Sequence, residues 1–413
     1  MIIFVNRYFY PDHSATSQIL TDLVKNISDD YQVKVVTSRL NYNDGTIKYP
    51  QNEVVFGADV HRVWTTSYGR AFLPGRAIDY LSFYITVFFY LLRNLSSEDV
   101  VVAKTDPPLI SIIVAIAAKL TGAKHVNWLQ DLFPEVAKGL GMNSFKFKAL
   151  YPILTKARNW SLRFAEKNVA IGHLMADLVN VQTNQPEKTI IIPNWTVGNQ
   201  IAPVPSVENT LRKKWGLSKH FVVGYSGNLG RAHDYQTILD TIHSYQNDSK
   251  VRFLFIGGGA GMDALKLEAG KLGLDNILFK PYQPIERLGE SLSVADVHLV
   301  SLDPAMEGLI VPSKLYGILA VARPIIFIGS RSGEFSKLLA EHDCGYIVQQ
   351  GGIEEMRKAI TELQVESICT QKSKGSALLY KDQYHYGVSI ERWKHLFGLV
   401  LAKGEELRDI GCV

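Results

Sequence analysis

The residues of this chain whose types and spacing best suit chemistry fall in one run, Ser301 to Gly329, with the sequence SLDPAMEGLIVPSKLYGILAVARPIIFIG. Glu307 offers a carboxylate suited to a ribose diol, and Lys314 a point charge suited to phosphate. A second group is Gly227-Asn228-Leu229-Gly230-Arg231. Its glycines permit a tight turn with exposed N–H groups, and Arg231 can pair with a phosphate. Asp131 follows the apolar run KHVNWLQ. It is read either as a group that orients or deprotonates a substrate hydroxyl or as an aspartate capping the turn before Pro134. For Glu307 and Lys314 the alternative is a solvated loop ahead of an ordinary capped helix.

Such residues act together only where strands and helices bring them to one edge. Around Glu307 the pattern supplies this. Residues 295–302 suit a buried parallel strand, residues 304–312 break it, Ser313 can cap a helix, and Arg323-Pro324 ends that helix before the strand IIFIG. At the carboxyl end of parallel strands a helix N-terminus favours an anion. The same alternation runs through the chain. IIFVN, YQVKVVTSR, VHRVW, DVVVAKTD, KHVNWLQ, KNVAIG and TIIIPNW read as strands, with helices from Thr16 to Ile27 and from near His173. After Pro203-Val204-Pro205, which reads as a connection, HFVVGYSGN, VRFLFIGG, ILFK and DCGYIVQ restart it, with a helix from about Tyr235. The class is α/β with doubly wound parallel sheets.

A length of 413 residues exceeds one core and suits two domains, here 1–197 and 198–385. Hydrophobic content of 46% and charge of 20% describe a globular protein without low-complexity tracts. Cys344, Cys369 and Cys412 are scattered and lack metal spacing, which suits a reducing cytosol. MIIFVNRYFY lacks a basic n-region and long apolar core, so it reads as a first strand and not a signal peptide, which makes the expected location cytoplasmic. VRFLFIGGGAGMDAL fails as a dinucleotide fingerprint because Met262 stands where the third glycine belongs, and no P-loop motif occurs.

The segment Glu307-Gly308 followed by VPSKLYGILAVARPII resembles the donor segment of glycosyltransferase family 4, the retaining GT-B enzymes, and within it the WbuB-like bacterial polysaccharide branch. The resemblance extends from Tyr8 to the last helix. It implies two doubly wound Rossmann-like domains facing a cleft, with donor on the second, acceptor on the first, and a closing helix of about residues 386–413 returning to the first. It implies a retaining reaction without a cofactor or metal, and the chain has no Asp-x-Asp signature. Catalytic roles fall on Glu307, Asp131, Arg231 and Lys314. Donor contacts are expected at Ser14, Ala15 and Thr16, at Gly227, Asn228, Leu229, Gly230 and Arg231, and at Gly257 and Tyr282. The donor segment adds Glu307, Gly308, Pro312, Ser313, Lys314 and Leu315, while Asp106 and Asp131 are expected at the acceptor. Tyr282 reads either as a wall of the base pocket or as an ordinary surface tyrosine, and Ser14 to Thr16 either as a donor-facing loop or as a plain helix cap.

Three positions depart from the family pattern. Gly317 stands where a second glutamate is expected for ribose, Gln130 where a histidine precedes Asp131, and His233 where a second basic residue follows Arg231. The branch resemblance implies a UDP-linked donor such as UDP-N-acetyl-L-fucosamine and an acceptor sugar on undecaprenyl diphosphate, in O-antigen or capsule synthesis. Readings from other classes are a catalytically silent nucleotide-sugar-binding subunit and a nucleotide-sugar epimerase of the same fold.

Net charge is +4, with 20 basic and 16 acidic residues up to Trp195 and 24 of each beyond it. Residues 138–167 hold seven basic residues against one acidic, interleaved with aromatics. The run from Ile78 to Leu92, fifteen residues long, is strongly apolar but too short for a bilayer, which needs about twenty. Each is read either as a peripheral contact with the anionic inner face of the cytoplasmic membrane or as ordinary buried and solvated helix faces. No nucleic-acid-binding module accompanies the charge.

Overall fold

The computed structural model describes the chain except residues 13, 43, 70–72, 143, 197–200, 231 and 410–413, so Arg231 and Cys412 lie outside the described residues. The chain divides into two compact units. One comprises 1–193, 308–310 and 387–413; the other comprises 194–307 and 311–386.

The first unit is built on β1 (Ile2–Val5), β2 (Val33–Ser38), β3 (Asn52–Val55), β4 (Ala58–Val63), β5 (Val100–Lys104), β6 (Lys124–Trp128), β7 (Lys167–Ala170) and β8 (Thr189–Ile191). They form one sheet in the order β3-β4-β2-β1-β5-β6-β7-β8. Every described pairing is parallel except β3 with β4. That hairpin turns on Phe56 and Gly57, both at positive φ (51° and 79°), as a two-residue turn of the right twist requires. The order reverses at β1, which has β2 on one side and β5 on the other, so the sheet's switch point opens beyond Val5 and Lys104.

Six helices join these strands: α1 (Ala15–Ile27), α2 (Leu73–Asn94), α3 (Ile110–Thr121), α4 (Glu135–Gly139), α5 (Phe145–Phe164) and α6 (His173–Thr183). The apolar run from Ile78 to Leu92 lies inside α2, which is 22 residues long because Pro74, the second helical residue, starts it earlier than apolar content alone indicates. Phe83, Val87 and Leu91 are fully buried, four residues apart on one face. Ile78, Leu81, Ile85 and Phe89 lie on the other face and are 46–57% exposed. No described helix is long and apolar enough to cross a membrane. On α5, Lys146, Lys148 and Lys156 are exposed beside Phe145 and Ile153. Arg158 corrects the reading of this helix as uniformly surface-basic. It is buried and bonded through Nη2 to Glu135 (2.5 Å) and Gln182 (2.7 Å), because a guanidinium turned inward needs such partners.

The second unit holds β9 (Phe221–Asn228), β10 (Val251–Gly258), β11 (Ile277–Lys280), β12 (Val297–Ser301), β13 (Ile325–Ile328) and β14 (Gly345–Val348), ordered β11-β10-β9-β12-β13-β14. All described pairings are parallel. Its helices are α7 (Thr210–Lys214), α8 (Gln236–Ser244), α9 (Ala260–Lys271), α10 (Leu288–Leu292), α11 (Lys314–Ala320), α12 (Glu334–Glu341), α13 (Ile353–Leu363) and α14 (Glu366–Leu379). The strands are apolar on both faces and read as continuous Val, Ile, Leu and Phe, as in parallel sheets covered by helices. Here the switch point lies between β9 and β12.

The last helix, α15 (Tyr386–Asp409), belongs with the first unit from Gly387 onward. Trp393 meets Trp128 at 4.6 Å between ring centroids, and Phe397 meets Phe4 at 6.1 Å. Lys124 Nζ donates to the carbonyl of Val400 (2.7 Å), and Tyr31 to that of Lys394 (3.2 Å). Trp393→Ala removes the largest of these plugs and is expected to destabilise the first unit by about 3–5 kcal/mol. A calorimetric scan should show a fall of roughly 6 °C or more in that unit's transition, at about 2–4 °C per kcal/mol.

Candidate active site

In the second unit β9 and β10 run side by side to Gly227 and Gly257, their last pairing being Asn228 with Gly258. Both glycines have positive φ, 118° and 130°. A Cβ on Gly257 would lie 2.3 Å from the carbonyl oxygen of Gly227, so only glycine lets the two chains meet here. The loop beyond is clamped: Leu229 N–H donates to Gly258 O (2.8 Å) and Gly261 N–H to Leu229 O (2.8 Å). Leu229 is itself fully buried in the core. The expectation of exposed N–H groups along this turn is corrected at Leu229, whose donor the β10 end consumes. Asn228 is exposed, Gly230 keeps partial exposure, and Tyr282, 61% exposed, has its ring near Gly258.

Lys314, the first residue of α11, reaches into the crevice under Gly227. A Cβ on Gly227 would stand 3.2 Å from its Cε. The ammonium lies 5.0 Å from the centre of the Tyr225 ring and 3.2 Å from His233 Nε2. His233 Nδ1 sits 2.5 Å from the carbonyl oxygen of Ser301, which can only accept, so Nδ1 carries the proton and Nε2 offers its lone pair to Lys314. Burial lowers the Lys314 ammonium to about 8. Burial, and next the charge of Lys314, lower the His233 imidazole to about 4. The site therefore presents a cation at neutral pH that a nearby anion would hold in its charged form. Ser313 stands at the N-cap but in helical conformation and makes no side-chain cap, which corrects the expectation of a serine cap. The N–H of Leu315 goes instead to Pro312 O at 3.2 Å. Pro312 and Leu315 are buried and hold the turn, while Ser313 is exposed.

Glu307 follows a short 3-10 turn (Pro304–Met306), and Gly308 after it has φ 72°. Its carboxylate turns toward the N-terminus of α12. A Cβ on Gly333, the N-cap of that helix, would lie 2.2 Å from Glu307 Oε1. Burial and then the Glu334 charge raise the Glu307 carboxyl above its usual range, while a hydrogen bond from the Glu334 backbone pulls the other way. Oε1 is buried without a hydrogen-bond partner among the described residues. Gly333 thus belongs with the candidate site, although only its place after IIFIG and before a helix marks it in the sequence. Gly317, where a second carboxylate was expected, is buried within α11, and a Cβ there would press on Leu292 at 3.0 Å.

The remaining candidates lie in the first unit. Ser14 caps α1 by accepting from Ser17 N–H (3.2 Å), Ala15 is exposed, and Thr16 Oγ1 donates to Asp106 Oδ2 (3.3 Å). Asp106 follows β5, so these residues share the switch point. Asp131 follows β6; Thr105 hydrogen-bonds its carboxylate, and its Oδ1 is buried without a partner among the described residues. Burial foremost, with Asp106 adding, pushes the Asp131 carboxyl up to about 6. It is not the N-cap of α4, a place that Pro134 takes. The sequence reading overlooked Arg7, which follows β1 and is buried at the same edge. It lies 3.7 Å from Asp79 and 4.8 Å from the centre of the Tyr80 ring. Among the described residues, no group of three His, Cys, Asp or Glu side chains could hold a metal ion.

Residues 207–371 match the family model of glycosyl transferases group 1. That stretch falls, save residues 308–310, in the second unit. The chain is similar to the probable glycosyltransferase WbjE of Pseudomonas aeruginosa, 29% identical over 248 residues that cover 60% of this chain and 62% of that protein. It is also similar to the putative colanic acid biosynthesis glycosyl transferase WcaI of Escherichia coli K12, 24% identical over 62% of this chain and 64% of that one. The matched stretch is thus less than two thirds of either relative. Among solved structures, sucrose-phosphate synthase of Thermosynechococcus elongatus aligns with a TM-score of 0.78 at 14% identity, covering 97% of this chain and 99% of that one. Anabaena HepE in complex with UDP and glucose aligns with a TM-score of 0.70 at 15% identity, covering 96% and 99%. The fold is that of the GT-B glycosyltransferases, and in the second unit the Lys314 crevice occupies the sheet's carboxyl edge.

Replacing Lys314 by methionine removes the charge beside His233 but keeps most of the burial. The His233 pKa should rise and, because burial is the larger cause, remain below the ordinary value near 6.5. A pH titration of the imidazole carbon-bound protons by NMR reads it directly; an unmoved value would mean that the ammonium does not face the ring.

Proposed function

We propose that this chain is a glycosyltransferase that moves a sugar from a nucleoside diphosphate donor to a saccharide acceptor in bacterial polysaccharide biosynthesis. The observation that carries the reading is the Lys314 ammonium held in the crevice beneath the Gly227 turn, within the residues that match the group 1 glycosyl transferase model. As the C1–oxygen bond to the donor breaks, the leaving diphosphate gains charge, and Lys314 neutralises it where burial makes the interaction strong. The acceptor oxygen bonds to C1 and its proton is lost. Asp131, with its carboxyl near 6, is ionised at neutral pH and is the proposed group that orients or takes it. Glu307 is assigned to the transferred sugar and Tyr282 to the base. Arg231 is a further phosphate partner by sequence. The phosphate charge is met by protein groups, so the reaction is proposed to need no metal and to retain configuration.

The bound UDP of HepE supports UDP as the nucleotide, and the colanic acid relative supports a polysaccharide pathway. The WbuB-like resemblance narrows the proposal to UDP-N-acetyl-L-fucosamine and an undecaprenyl-diphosphate-linked acceptor, for O-antigen or capsule. A silent binding subunit is favoured by the buried Gly317 in place of a carboxylate and by Gln130 in place of a histidine, and an epimerase would require no acceptor. A panel of nucleotide sugars, assayed for free nucleoside diphosphate with and without lipid-linked acceptor and in the presence of EDTA, separates these. A transferase releases diphosphate in step with glycosylated acceptor and does so in EDTA. Glu307→Ala should lower that rate about a hundredfold, the worth of roughly 3 kcal/mol in the transition state. Gly333→Ala should leave the protein folded but displace Glu307, lowering the rate at least about tenfold; normal turnover in both variants would remove Glu307 from the site.

The acceptor's lipid calls for a protein at the membrane surface. Lys146, Lys148 and Lys156, exposed on α5 beside Phe145 and Ile153, suit anionic headgroups at the cytoplasmic face, each worth about 1 kcal/mol and weakened by salt. In sedimentation the protein should prefer vesicles of phosphatidylglycerol over neutral ones at low salt. Changing the three lysines to glutamine should abolish most of that preference, and indifference to lipid charge would reduce α5 to a solvated face.

A further inference from the structure

Three cavities of the first unit adjoin one another and change character in order. The first, about 120 Å³, lies at the switch point and is lined by Arg7, Tyr8, Asn41, Tyr42, Arg76 and Asp79, a mixture suited to hydroxyl groups. It shares Leu40 and Ser67 with the second, about 330 Å³, where Arg39 and Lys48 stand among Thr65, Thr66 and Tyr68. Neither Arg39 nor Lys48 is in a salt bridge among the described residues, and Lys48 is exposed. The second shares Trp64 with the third, about 420 Å³, whose wall from α2 is Ile85, Thr86, Phe89 and Tyr90, with Arg93 and Asn94 at its end. Leu81 and Ile78 extend the exposed apolar face of α2 back toward the first cavity, an axial rise of about 16 Å from Phe89. Trp64 itself is 62% exposed.

A run that joins a polar cavity, a middle cavity with two cations outside any described salt bridge, and a third cavity with an apolar wall accommodates a ligand built in the same order. We propose that this run is the binding track of a polyprenyl diphosphate-linked saccharide. The sugar occupies the Arg7 cavity, the diphosphate lies against Arg39 and Lys48, and the first isoprenoid units cover Trp64, Ile85 and Phe89. The inference rests on the lipid-linked acceptor of the proposed function and gives it residues that the family resemblance does not supply. One feature favours this occupant over a bilayer at this face: the cavities are joined through Leu40, Ser67 and Trp64, so one elongated ligand reaches all three with Arg39 and Lys48 at its middle. Arg93, beside Phe89 at 5.9 Å from its ring, closes the far end.

The test uses the full chain with saturating UDP, to occupy the nucleotide unit, and farnesyl diphosphate as the probe in calorimetry, with farnesol and inorganic diphosphate as controls. Trp64→Ala and Phe89→Ser should each weaken farnesyl diphosphate at least about tenfold and leave inorganic diphosphate unchanged. Lys48→Gln, alone and with Arg39→Gln, should weaken both diphosphates and leave farnesol unchanged. These side chains carry exposed surface, and Lys48→Gln keeps the test informative if Arg39→Gln disturbs the bond from its Nε to the Tyr49 carbonyl. Absence of farnesyl diphosphate binding, or binding indifferent to all four changes, overturns the track. So does vesicle binding that depends on Trp64 and Phe89 in a protein that does not bind farnesyl diphosphate. Binding of UDP, measured separately, reports on the proposed function, so a protein that binds UDP but not the prenyl probe loses only this inference.

Discussion

An ammonium held out of water is the constraint on which the second unit depends. Lys314 forgoes part of its hydration, and the loss is visible in a pKa lowered to about 8. What offsets it is specific: a ring face from Tyr225, a lone pair from His233, and room that only a residue without Cβ at position 227 can leave. Each of those depends on something further out. His233 has its tautomer fixed by Ser301 at the end of β12, and Gly227 keeps its approach because Gly257 opposite is also glycine. The sheet's register is therefore what aims the charge, since a shift of one residue would put a side chain where the lysine lies.

The first unit applies the same physics with the opposite sign. Asp131 is raised to about 6 because its carboxylate is dry and has Asp106 for a neighbour. Lys104, fully buried at the end of β5, lies 3.5 Å from the centre of the Trp128 ring and is pushed well below its ordinary value by burial, with Asp106 acting against that. Trp128 is in turn packed by Trp393 of the last helix. Removing water from this edge is thus partly the work of a helix some 260 residues later in the chain, and that helix is tied down by hydrogen bonds to its backbone carbonyls from Lys124 and Tyr31.

Much of the fold was legible because parallel sheets write themselves as apolar runs separated by amphipathic helices. The strands IIFV, VVVAK, FVVGYSGN and IIFI all appear where the alternation places them. What escaped were features set by tertiary contacts. The β3–β4 hairpin has a short, largely exposed first strand, so its apolar signal is weak. Arg158 looks like its exposed lysine neighbours until the fold turns it onto Glu135. At the candidate site, Glu307 and Lys314 were visible as residue types in a strand-loop-helix joint, but their directions were not. That Glu307 points to the N-terminus of α12, over a glycine, depends on a helix beginning 27 residues later. Ser313 occupies the expected N-cap position in a conformation that denies it the role, because Pro312 supplies the acceptor instead.

The most consequential departure is at Gly317. A glutamate there would have to pass Leu292, which already fills the space a Cβ would enter, and Thr196 lies just beyond at 3.9 Å. Leu315, Tyr316, Ile318, Leu319 and Ala320 are buried as well, so α11 is a packing element that presents one functional side chain, Lys314, at its first turn. Placing a carboxylate in that environment without a partner would cost several kcal/mol. A carboxylate at this position of α11 therefore requires α10 to repack. In the proposed function the helix supplies one charge and otherwise shape to the core, and discrimination between donors is assigned to groups outside it: the ring of Tyr282 near Gly258 and the carboxylate of Glu307.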